Sequence, residues 1–409
     1  MLLLATLSLC LSGLSAQTAA LSEQDAVTLA LAANPDLQVL RAGKVVAEAA
    51  RLQARALANP GIKFGATDFA TELNDPERKR NNVALTWAPP RIGQIALKTA
   101  MAQAGIDEAA ADIHAAENRL AAEIRLLHRT LCLLDEQLQV GEAIAATRTR
   151  ILHDVRLQVE AGVKSVLDRS AAEMALAEAR QLVTQYRAER QLHALRLQQK
   201  TGMPLTQSLV VKSEADPFTL PQPAFHRDTL VAEATAQRAE LTAQNARCRG
   251  AALAITEARR EAYPWISNFQ IIRRTRRVDS PGTWGFQVNV EIPVFSWWRN
   301  QPAAVPRAEL NRCQLQTEAL KARITAEVDE LLARVNTAAG ELAGYQQSIV
   351  QLSHHQIETA KAELTAGQAD RVEPLLAEIR LLTVRQVYLA KLLEYRVLEA
   401  GIQQATGKV

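Results

Sequence analysis

Histidine and cysteine side chains commonly bind metal ions in proteins, and this sequence contains seven histidines and four cysteines. His114 and His128 are 14 positions apart, which is roughly 21 Å along a helix and too far to share one ion. His354 and His355 are adjacent, so that on a helix they point to different faces. The spacing therefore predicts neither a defined metal site nor a bound cofactor.

The sequence also lacks the short motifs that accompany common catalytic chemistry. It has no phosphate-binding loop, no HExxH, no GxSxG and no dinucleotide fingerprint. The four cysteines, Cys10, Cys132, Cys248 and Cys313, form no CxxC pair. Because Cys10 lies in an apolar leader, three cysteines remain, and this number predicts no disulfide framework. We expect a protein that has no catalytic residues and is not an enzyme.

A basic run from Arg273 to Arg277 resembles, in isolation, a nucleic-acid patch. The first residues of the chain, however, are apolar and then small, which is typical of a secretory signal peptide at 1–20 with cleavage between Ser15 and Ala20. In an exported chain, a loop that faces anionic lipid or solvent is the better interpretation of the arginines. We therefore predict no nucleic-acid partner. No later segment is apolar and long enough for a membrane-spanning helix, so any membrane insertion would use strands.

The elements that carry these side chains are mostly long helices. The composition is 48% hydrophobic but only 4% aromatic, with 17 glycines, and this balance favours helices. From Ile92 to Val159 the chain has two rows of apolar residues at a spacing of seven, which is the pattern of a coiled-coil seam. The rows are Ile106, Ile113, Leu120, Leu127 and Leu134, and Ile124, Leu131, Leu138, Ala145, Leu152 and Val159. A turn at 160–165 and a return helix from Val166 to Thr201 complete a predicted helical hairpin.

Two regions of alternating residues predict strands. In the first, two short segments between 62 and 87 flank a polar loop. In the second, apolar side chains at every other position from Trp284 to Ile292 alternate with polar or small ones, which is the pattern and length of a membrane-barrel strand. Its predicted partner is 265–272. The sequence therefore predicts four strands in all.

The second half of the chain repeats the landmarks of the first. Pro60 corresponds to Pro264 at an offset of 204, and Gly162 corresponds to Gly367 at an offset of 205. This near-constant offset predicts an internal duplication. The first repeat would be 21–202, with a strand pair at about 62–87 and a hairpin at 92–201. A linker at 203–225 precedes the second repeat, 226–409, with a strand pair at about 265–292 and a hairpin at 306–406.

The predicted second hairpin has heptad rows of its own. They are Ile324, Leu331, Ala338, Tyr345 and Leu352, and Val328, Val335, Leu342 and Ile349.

Four strands cannot close a barrel, since bacterial membrane barrels need about eight, and open strand edges are costly in a bilayer. We therefore predict a mainly α chain with a small β-barrel portion, in which several copies pool their strands and continue the barrel with a ring of helices.

Two function classes fit this organisation. A tube indicates an outer-membrane exit duct that moves its substrate passively. The alternative is a periplasmic adaptor or coiled-coil scaffold of a secretion or efflux system, which also uses long hairpins. That class predicts one hairpin and a soluble sandwich domain, so the second hairpin and the alternation at 284–292 favour the duct.

The chain resembles the TolC-like outer membrane factors, and within them the cation-efflux branch of the cobalt-zinc-cadmium type. The motifs that carry the resemblance are Leu21-Ser22-x-x-x-Ala26 with Asn34-Pro35-Asp36-Leu37, Asn59-Pro60, Ile292-Pro293-x-Phe295, and Arg299-Asn300-Gln301. The two glycine tips and the Thr-Gly endings at 201–202 and 406–407 add to them. Pro302 departs from the family pattern, in which a glycine is expected.

The resemblance implies a homotrimer with a twelve-stranded barrel in the outer membrane. It also implies a helical barrel in the periplasm, which the long hairpins of the three chains would form. It implies partners as well, namely a periplasmic adaptor (membrane fusion) protein and an inner-membrane, proton-driven transporter of the RND type. Metal cations are the expected cargo, although organic compounds stay an alternative. Outer-membrane lipid would surround the strands.

The resemblance also implies roles for residues at the hairpin tips. Contact with the adaptor is expected from Val159, Gly162, Ser165, Leu364, Gly367 and Asp370. Acidic side chains after the tips are expected at the pore mouth, where Glu373 matches the first position, Leu376 occupies the second, and Asp168 is a weaker candidate. A charge at the start of a helix, favoured by the helix dipole, is the alternative for both carboxylates. The glycines are expected to have positive φ, because a tight reversal requires it.

Overall fold

The computed structural model describes residues 20–67, 80–205, 209–212, 225–275, 281–294, 301–368 and 370–407. Outside these residues lie the predicted signal peptide with Cys10, most of the predicted linker at 203–225, and the end of the arginine run. The helices are α1 (Glu23–Ala33), α2 (Pro35–Ala54), α3 (Gln94–Glu160), α4 (Val166–Thr201), α5 (Arg227–Gln237), α6 (Ala239–Glu261), α7 (Ala304–Gly344), α8 (Gln351–Thr365) and α9 (Val372–Thr406). The strands are β1 (Gly61–Thr67), β2 (Arg80–Trp87), β3 (Trp265–Thr275) and β4 (Thr283–Glu291).

These elements confirm the fold predicted for a single chain, which is mainly helical with two long hairpins and four strands. The predicted helix at 92–159 is observed as α3, and the predicted return helix has the bounds of α4. Equivalent elements begin 204 positions apart, α1 and α5 at 23 and 227, α2 and α6 at 35 and 239, and β1 and β3 at 61 and 265.

The chain forms two compact units. The first comprises the described parts of 1–35, 117–237 and 326–409, and the second comprises those of 36–116 and 238–325. Helices α3 and α7 each begin in the second unit and end in the first. Within the described residues, no helix is long and apolar enough to cross a lipid bilayer.

The core of the first unit lies along the heptad seams. Ile124 and Leu131 of α3 are buried, as are Val328 and Val335 of α7. Helix α1 lies against α4, and α5 lies against α9. The largest buried side chains include Tyr388, Leu389, Leu392 and Tyr395 of α9, and burial of each such side chain stabilises the fold by about 1.5–3 kcal/mol.

The seven-residue rows of the second hairpin do not run through as the sequence predicts. A π-helical segment at Tyr345–Val350 separates α7 from α8, and its wider turn inserts one residue into the helical repeat. The row therefore passes from buried Leu342 to Val350 and then to buried Ile357. Ile349 and Leu352, which were predicted in the seam, are 37% and 63% exposed.

The second unit contains an antiparallel sheet in the order β1-β2-β3-β4. The central pair, β2 and β3, joins the two halves of the sequence, with Leu85 opposite Ile271. Cross-strand register places twelve apolar residues on one face, which we call the apolar face. They are Ile62, Phe64, Val83, Leu85, Trp87, Ile266, Phe269, Ile271, Trp284, Phe286, Val288 and Val290.

The apolar face is exposed in the single chain, with Phe64 at 79% and Trp284 at 70%. The opposite face is mostly polar and includes Gln270, Gln287 and Asn289. In a water-soluble sheet, an apolar face is normally covered by another layer. The strands therefore have the alternation of a membrane barrel.

A disulfide in the second unit corrects the prediction that the cysteines form no such framework. Cys248 of α6 is bonded to Cys313 of α7, across 65 positions of sequence. Gln244, which is buried, donates its side-chain amide to the carbonyl oxygen of Cys313 at 3.3 Å. Cys132 is partly buried and forms no disulfide with another described cysteine. The spacing of the cysteines could not show this bond, because it joins two helices that become neighbours only in the folded chain.

Candidate functional site

Both hairpin tips end in the same hydrogen-bonded turn. Gly162 has φ 74° and Gly367 has φ 71°, a region of backbone conformation that is easily reached only by glycine. After the helix ends, Val163 N–H donates to the Gln158 carbonyl at 2.8 Å, and Gln368 N–H donates to the Glu363 carbonyl at 2.9 Å. These bonds, with those from the two glycines to residues 159 and 364, form a Schellman motif that satisfies the last carbonyls of each helix.

The first tip continues into a capping box at the start of α4. Asp168 N–H donates to the Ser165 hydroxyl oxygen at 3.2 Å, and Ser165 N–H donates to the Asp168 carboxylate at 2.9 Å. Hydrogen bonds from the Ser165 backbone and then from its hydroxyl lower the pKa of Asp168. This carboxylate is exposed but already occupied, because it caps its own helix.

At the second tip, Asp370 holds the position that corresponds to Ser165, 205 residues later. Its carboxylate accepts hydrogen bonds from Lys164 Nζ at 2.8 Å and from Gln158 Nε2 at 2.5 Å. Both donors belong to the first tip, so this contact, which we call the tip link, joins the two hairpins. Burial raises the pKa of Asp370, but the bonds from Lys164 and Gln158 outweigh it and leave the pKa lowered.

An apolar cluster supports the tip link from the side of the helices. Ile151 and Val155 of α3 pack with Val372 and Ile379 of α9, and Val159 and Leu376 lie against them. Leu376, which occupies the second acidic position of the family pattern, therefore packs in the core. Glu373 is exposed in the first turn of α9. Of the two acidic candidates, Asp168 is the one whose carboxylate caps its own helix.

The remaining predicted tip residues surround this contact. Gly162, Ser165 and Gly367 are exposed, and Leu364 is half-buried. Among the described residues beyond each glycine's chain neighbours, no heavy atom lies within 4 Å of a Cβ added to either glycine, so only the backbone conformation requires glycine there. The predicted tip residues thus lie at one end of the first unit. Most of them form the exposed turns, and Val159 packs against the apolar cluster.

Sequence reasoning missed Lys164 and Gln158, the two donors of the tip link. Lys164 is 206 positions from Asp370, and no local pattern connects residues at such a distance. The available signal was a lone lysine beside a turn, opposite an aspartate at the equivalent turn of the second repeat. Charge complementarity between the two turns could have indicated the pair.

The histidines and acidic residues do not converge in the described part of the chain. No group of three His, Cys, Asp or Glu side chains there could hold a metal ion. His128 is buried, and its Nε2 lies 2.9 Å from the carbonyl oxygen of Leu21. This histidine fastens the segment that precedes α1.

Replacing Asp370 with Asn is expected to loosen the tip link, because an amide lacks the charge that attracts Lys164. The pair is partly exposed, so the loss is about 1 kcal/mol. The amide hydrogens of Val163 and Gln368 should then exchange with solvent about fivefold faster, if they exchange through local opening. Hydrogen exchange measured on peptides from the two tips, and corrected for intrinsic rates, checks this.

The same link gives a pH dependence with a defined sign. Because the pKa of Asp370 is lowered, its contribution is complete above the ordinary aspartate pKa of about 3.9 and is lost as the pH falls further. Wild-type exchange should approach that of the Asp370→Asn variant in this acidic range. Asp168→Asn is the matched control, since it removes a carboxylate from the capping box of α4 alone. An equal effect of both variants on the second tip would contradict the link.

No family model and no curated protein sequence matches this chain. Solved structures, in contrast, match it over nearly its whole length. The chain is similar to CusC, with a TM-score of 0.75 and 20% identity, over 95% of this chain and 92% of the other. It is similar to the outer-membrane channel OprN, with a TM-score of 0.77 and 17% identity, over 95% and 90%.

The CmeC outer membrane channel of Campylobacter jejuni is a third similar structure, with a TM-score of 0.74 and 14% identity, over 94% of this chain and 85% of the other. Identities at this level establish a shared fold and leave function to be argued from the residues. The chain therefore has the fold of the TolC-like outer-membrane channels.

Proposed function

We propose that this protein is the outer-membrane exit duct of a tripartite efflux pump, which conducts its substrate passively from the periplasm to the outside. The observation that carries the proposal is the four-stranded sheet with an exposed apolar face and a polar opposite face. Such a sheet is stable where lipid contacts one face and water the other. The disulfide supports an oxidising compartment, since such bonds form outside the cytoplasm.

The strand count requires that several copies assemble. Among the described residues, β1 and β4 are the ends of the sheet and each has one neighbour. Unpaired strand edges inside a bilayer are costly, because water cannot satisfy their backbone groups. Four strands from each of three copies would give a closed barrel of about twelve strands, within the range that membrane barrels adopt. We therefore propose a homotrimer.

Helix α2 supports the same assembly. Val39, Val45, Val46 and Leu52 are between 63% and 71% exposed, and at 100° per residue they fall on one broad face of the helix. An apolar helix face of this kind is typical of a surface that is covered by another protein. In the proposed trimer, a second copy of the chain covers it.

The proposed partners contact the hairpin tips. Val159, Gly162, Ser165, Leu364, Gly367 and Asp370 would contact a periplasmic adaptor, which couples the duct to an inner-membrane transporter of the RND type. Glu373 and Asp168 would lie at the pore mouth and attract cations, with Glu373 the better candidate because the Asp168 carboxylate already accepts hydrogen bonds from Ser165. The tip link would then help to hold the mouth closed. Metal cations are the proposed cargo, on the strength of the cation-efflux motifs.

Fractionation and export together test the proposal. The protein is expected in outer-membrane fractions as a trimer that changes its gel mobility on heating. Deletion of its gene is expected to abolish export and to lower tolerance of metal ions more than tolerance of organic toxins. Recovery as a soluble monomer would contradict the proposed exit duct. Unchanged metal tolerance together with lost tolerance of organic toxins would contradict only the proposal that metal cations are the cargo.

A further inference from the structure

The second unit contains a cavity where the central strands meet the helices. It measures about 540 Å³, a size that suits a small ligand. Its walls come from 89–92, which connect β2 to α3, and from 260–266, which connect α6 to β3. Most of the lining residues are uncharged, and they include Ile92, Tyr263 and Ile266. The exceptions are two arginines, Arg91 and Arg260.

Within the described residues, backbone carbonyls and an aromatic ring hold both guanidinium groups, and no carboxylate pairs with them. Arg91 Nη1 donates to the Arg260 carbonyl at 3.3 Å, and its Cζ lies 4.5 Å from the centre of the Trp265 ring. Arg260 Nη1 donates to the Ile92 carbonyl at 3.4 Å. No carboxylate of the described residues forms an ion pair with either arginine. Two positive charges therefore line one cavity, and an anion would neutralise them.

The backbone around the cavity accommodates these arginines. Gly93 has φ 73°, and a Cβ built on it would overlap the guanidinium of Arg260. Helix α3 begins at Gln94 and has no acidic residue in its first turn, so the positive end of its dipole is unopposed there. The corresponding positions of the first half hold Ala56, Asn59 and Gly61 in place of Arg260, Tyr263 and Trp265. Those three lining residues of the second half are therefore not repeated in the first half.

The position of the cavity indicates what kind of anion it takes. Ile266 lies on the apolar face of the sheet and also lines the cavity, so the two surfaces are continuous. Tyr263 is 68% exposed, and tyrosine is a side chain typical of the interface between water and lipid. Ile92, which is 98% exposed, adds apolar surface that lipid would cover. A free phosphate ion would leave this apolar lining without a partner.

We infer that the cavity binds the phosphate group of an anionic glycerophospholipid whose acyl chains lie along the apolar face. Arg91 and Arg260 contact the phosphate, and Tyr263 and Trp265 lie at the level of the glycerol. The inference rests on the proposed function, because it needs the strands to be in a membrane. In the proposed trimer, other copies would pair with the edge strands β1 and β4. The site would stay open, because it lies beside the central strands β2 and β3.

Native mass spectrometry of the detergent-purified protein tests the site, with phosphatidylglycerol, phosphatidylcholine and inorganic phosphate as separate probes. Wild-type protein is expected to retain phosphatidylglycerol more tightly than phosphatidylcholine, and equimolar phosphate should not displace it. The Arg91→Gln/Arg260→Gln variant should bind phosphatidylglycerol about tenfold more weakly, because each arginine near an anionic surface contributes to binding. Arg259→Gln is the matched control, since Arg259 is exposed on the same helix but does not line the cavity.

Unchanged lipid retention in the double variant would overturn the inference, and so would displacement of the lipid by phosphate. If the double variant does not fold, the Arg260→Gln variant replaces it, because this substitution removes only one backbone hydrogen bond. It should bind phosphatidylglycerol severalfold more weakly than wild type, and unchanged binding would overturn the inference equally. Failure here with a trimer still in the outer membrane would remove only the lipid site. A soluble monomer would instead remove the proposed function.

Discussion

A Val288→Arg substitution is expected to strongly reduce assembly of the proposed trimer in the outer membrane. Val288 lies near the middle of β4 on the apolar face, opposite Phe269. A charged side chain facing lipid at the centre of a membrane barrel costs about 2–4 kcal/mol, and each copy in an oligomer would bear this cost. Since every 1.4 kcal/mol is about a tenfold change in an equilibrium, the assembled fraction should fall at least about tenfold.

Gln287→Arg is the matched control for this prediction. The residue is adjacent in the same strand, but its side chain lies on the polar face, opposite Gln270. The same charge should therefore be tolerated, because water would reach it in the lumen of a barrel. Quantifying the unboiled trimer band in outer-membrane fractions compares the two variants. Equal loss of trimer in both would show that the apolar face does not contact lipid.

Removing the Cys248–Cys313 disulfide is expected to have the second largest effect. The bond closes a loop of 65 positions, and disulfides over loops of this order stabilise proteins by about 2–4 kcal/mol, mainly by restricting the unfolded chain. The Cys248→Ser/Cys313→Ser variant should unfold at a correspondingly lower denaturant concentration. Wild-type protein treated with a reductant should approach the unfolding curve of the variant, and the variant itself should not respond to the reductant.

Cys132→Ser provides the control, because Cys132 lies in the first unit and forms no disulfide among the described cysteines. This variant should keep the response to reductant that the wild type shows. Maleimide labelling of the denatured, unreduced mature chain gives an independent readout, and it should modify one thiol if the signal peptide with Cys10 has been removed. Modification of three thiols would show that the disulfide does not form in the cell.

The heptad rows illustrate how far local patterns reach. At Ile124 and Leu131 the spacing of seven identifies buried residues, because a straight coiled-coil helix keeps its seam at that period. Beyond Leu342 the same reasoning fails, since the π-helical segment at Tyr345–Val350 advances the seam by one residue. The π-helical segment contacts α8 and α9, and a periodic count along one helix does not contain such contacts.

The disulfide and the tip link could not be predicted from the sequence for a related reason. Cys248 and Cys313 belong to different helices, and Lys164 and Asp370 belong to different hairpins. Each pair forms only because packing brings distant segments together. Counting cysteines or charges gives candidates, but it cannot select a partner.

The sequence by itself determined the long hairpins, the four strands with their alternating faces, and the glycine turns at the tips, since periodicity and steric restrictions act over a few neighbouring residues. It also indicated Gly162 and Gly367 as reversals of the chain. Only the tertiary structure decided that Asp370 binds Lys164, that Cys248 bonds to Cys313, and that Arg91 and Arg260 line one cavity. The physical reason is that these contacts depend on distances between segments far apart in sequence, which are set by how the helices and strands pack.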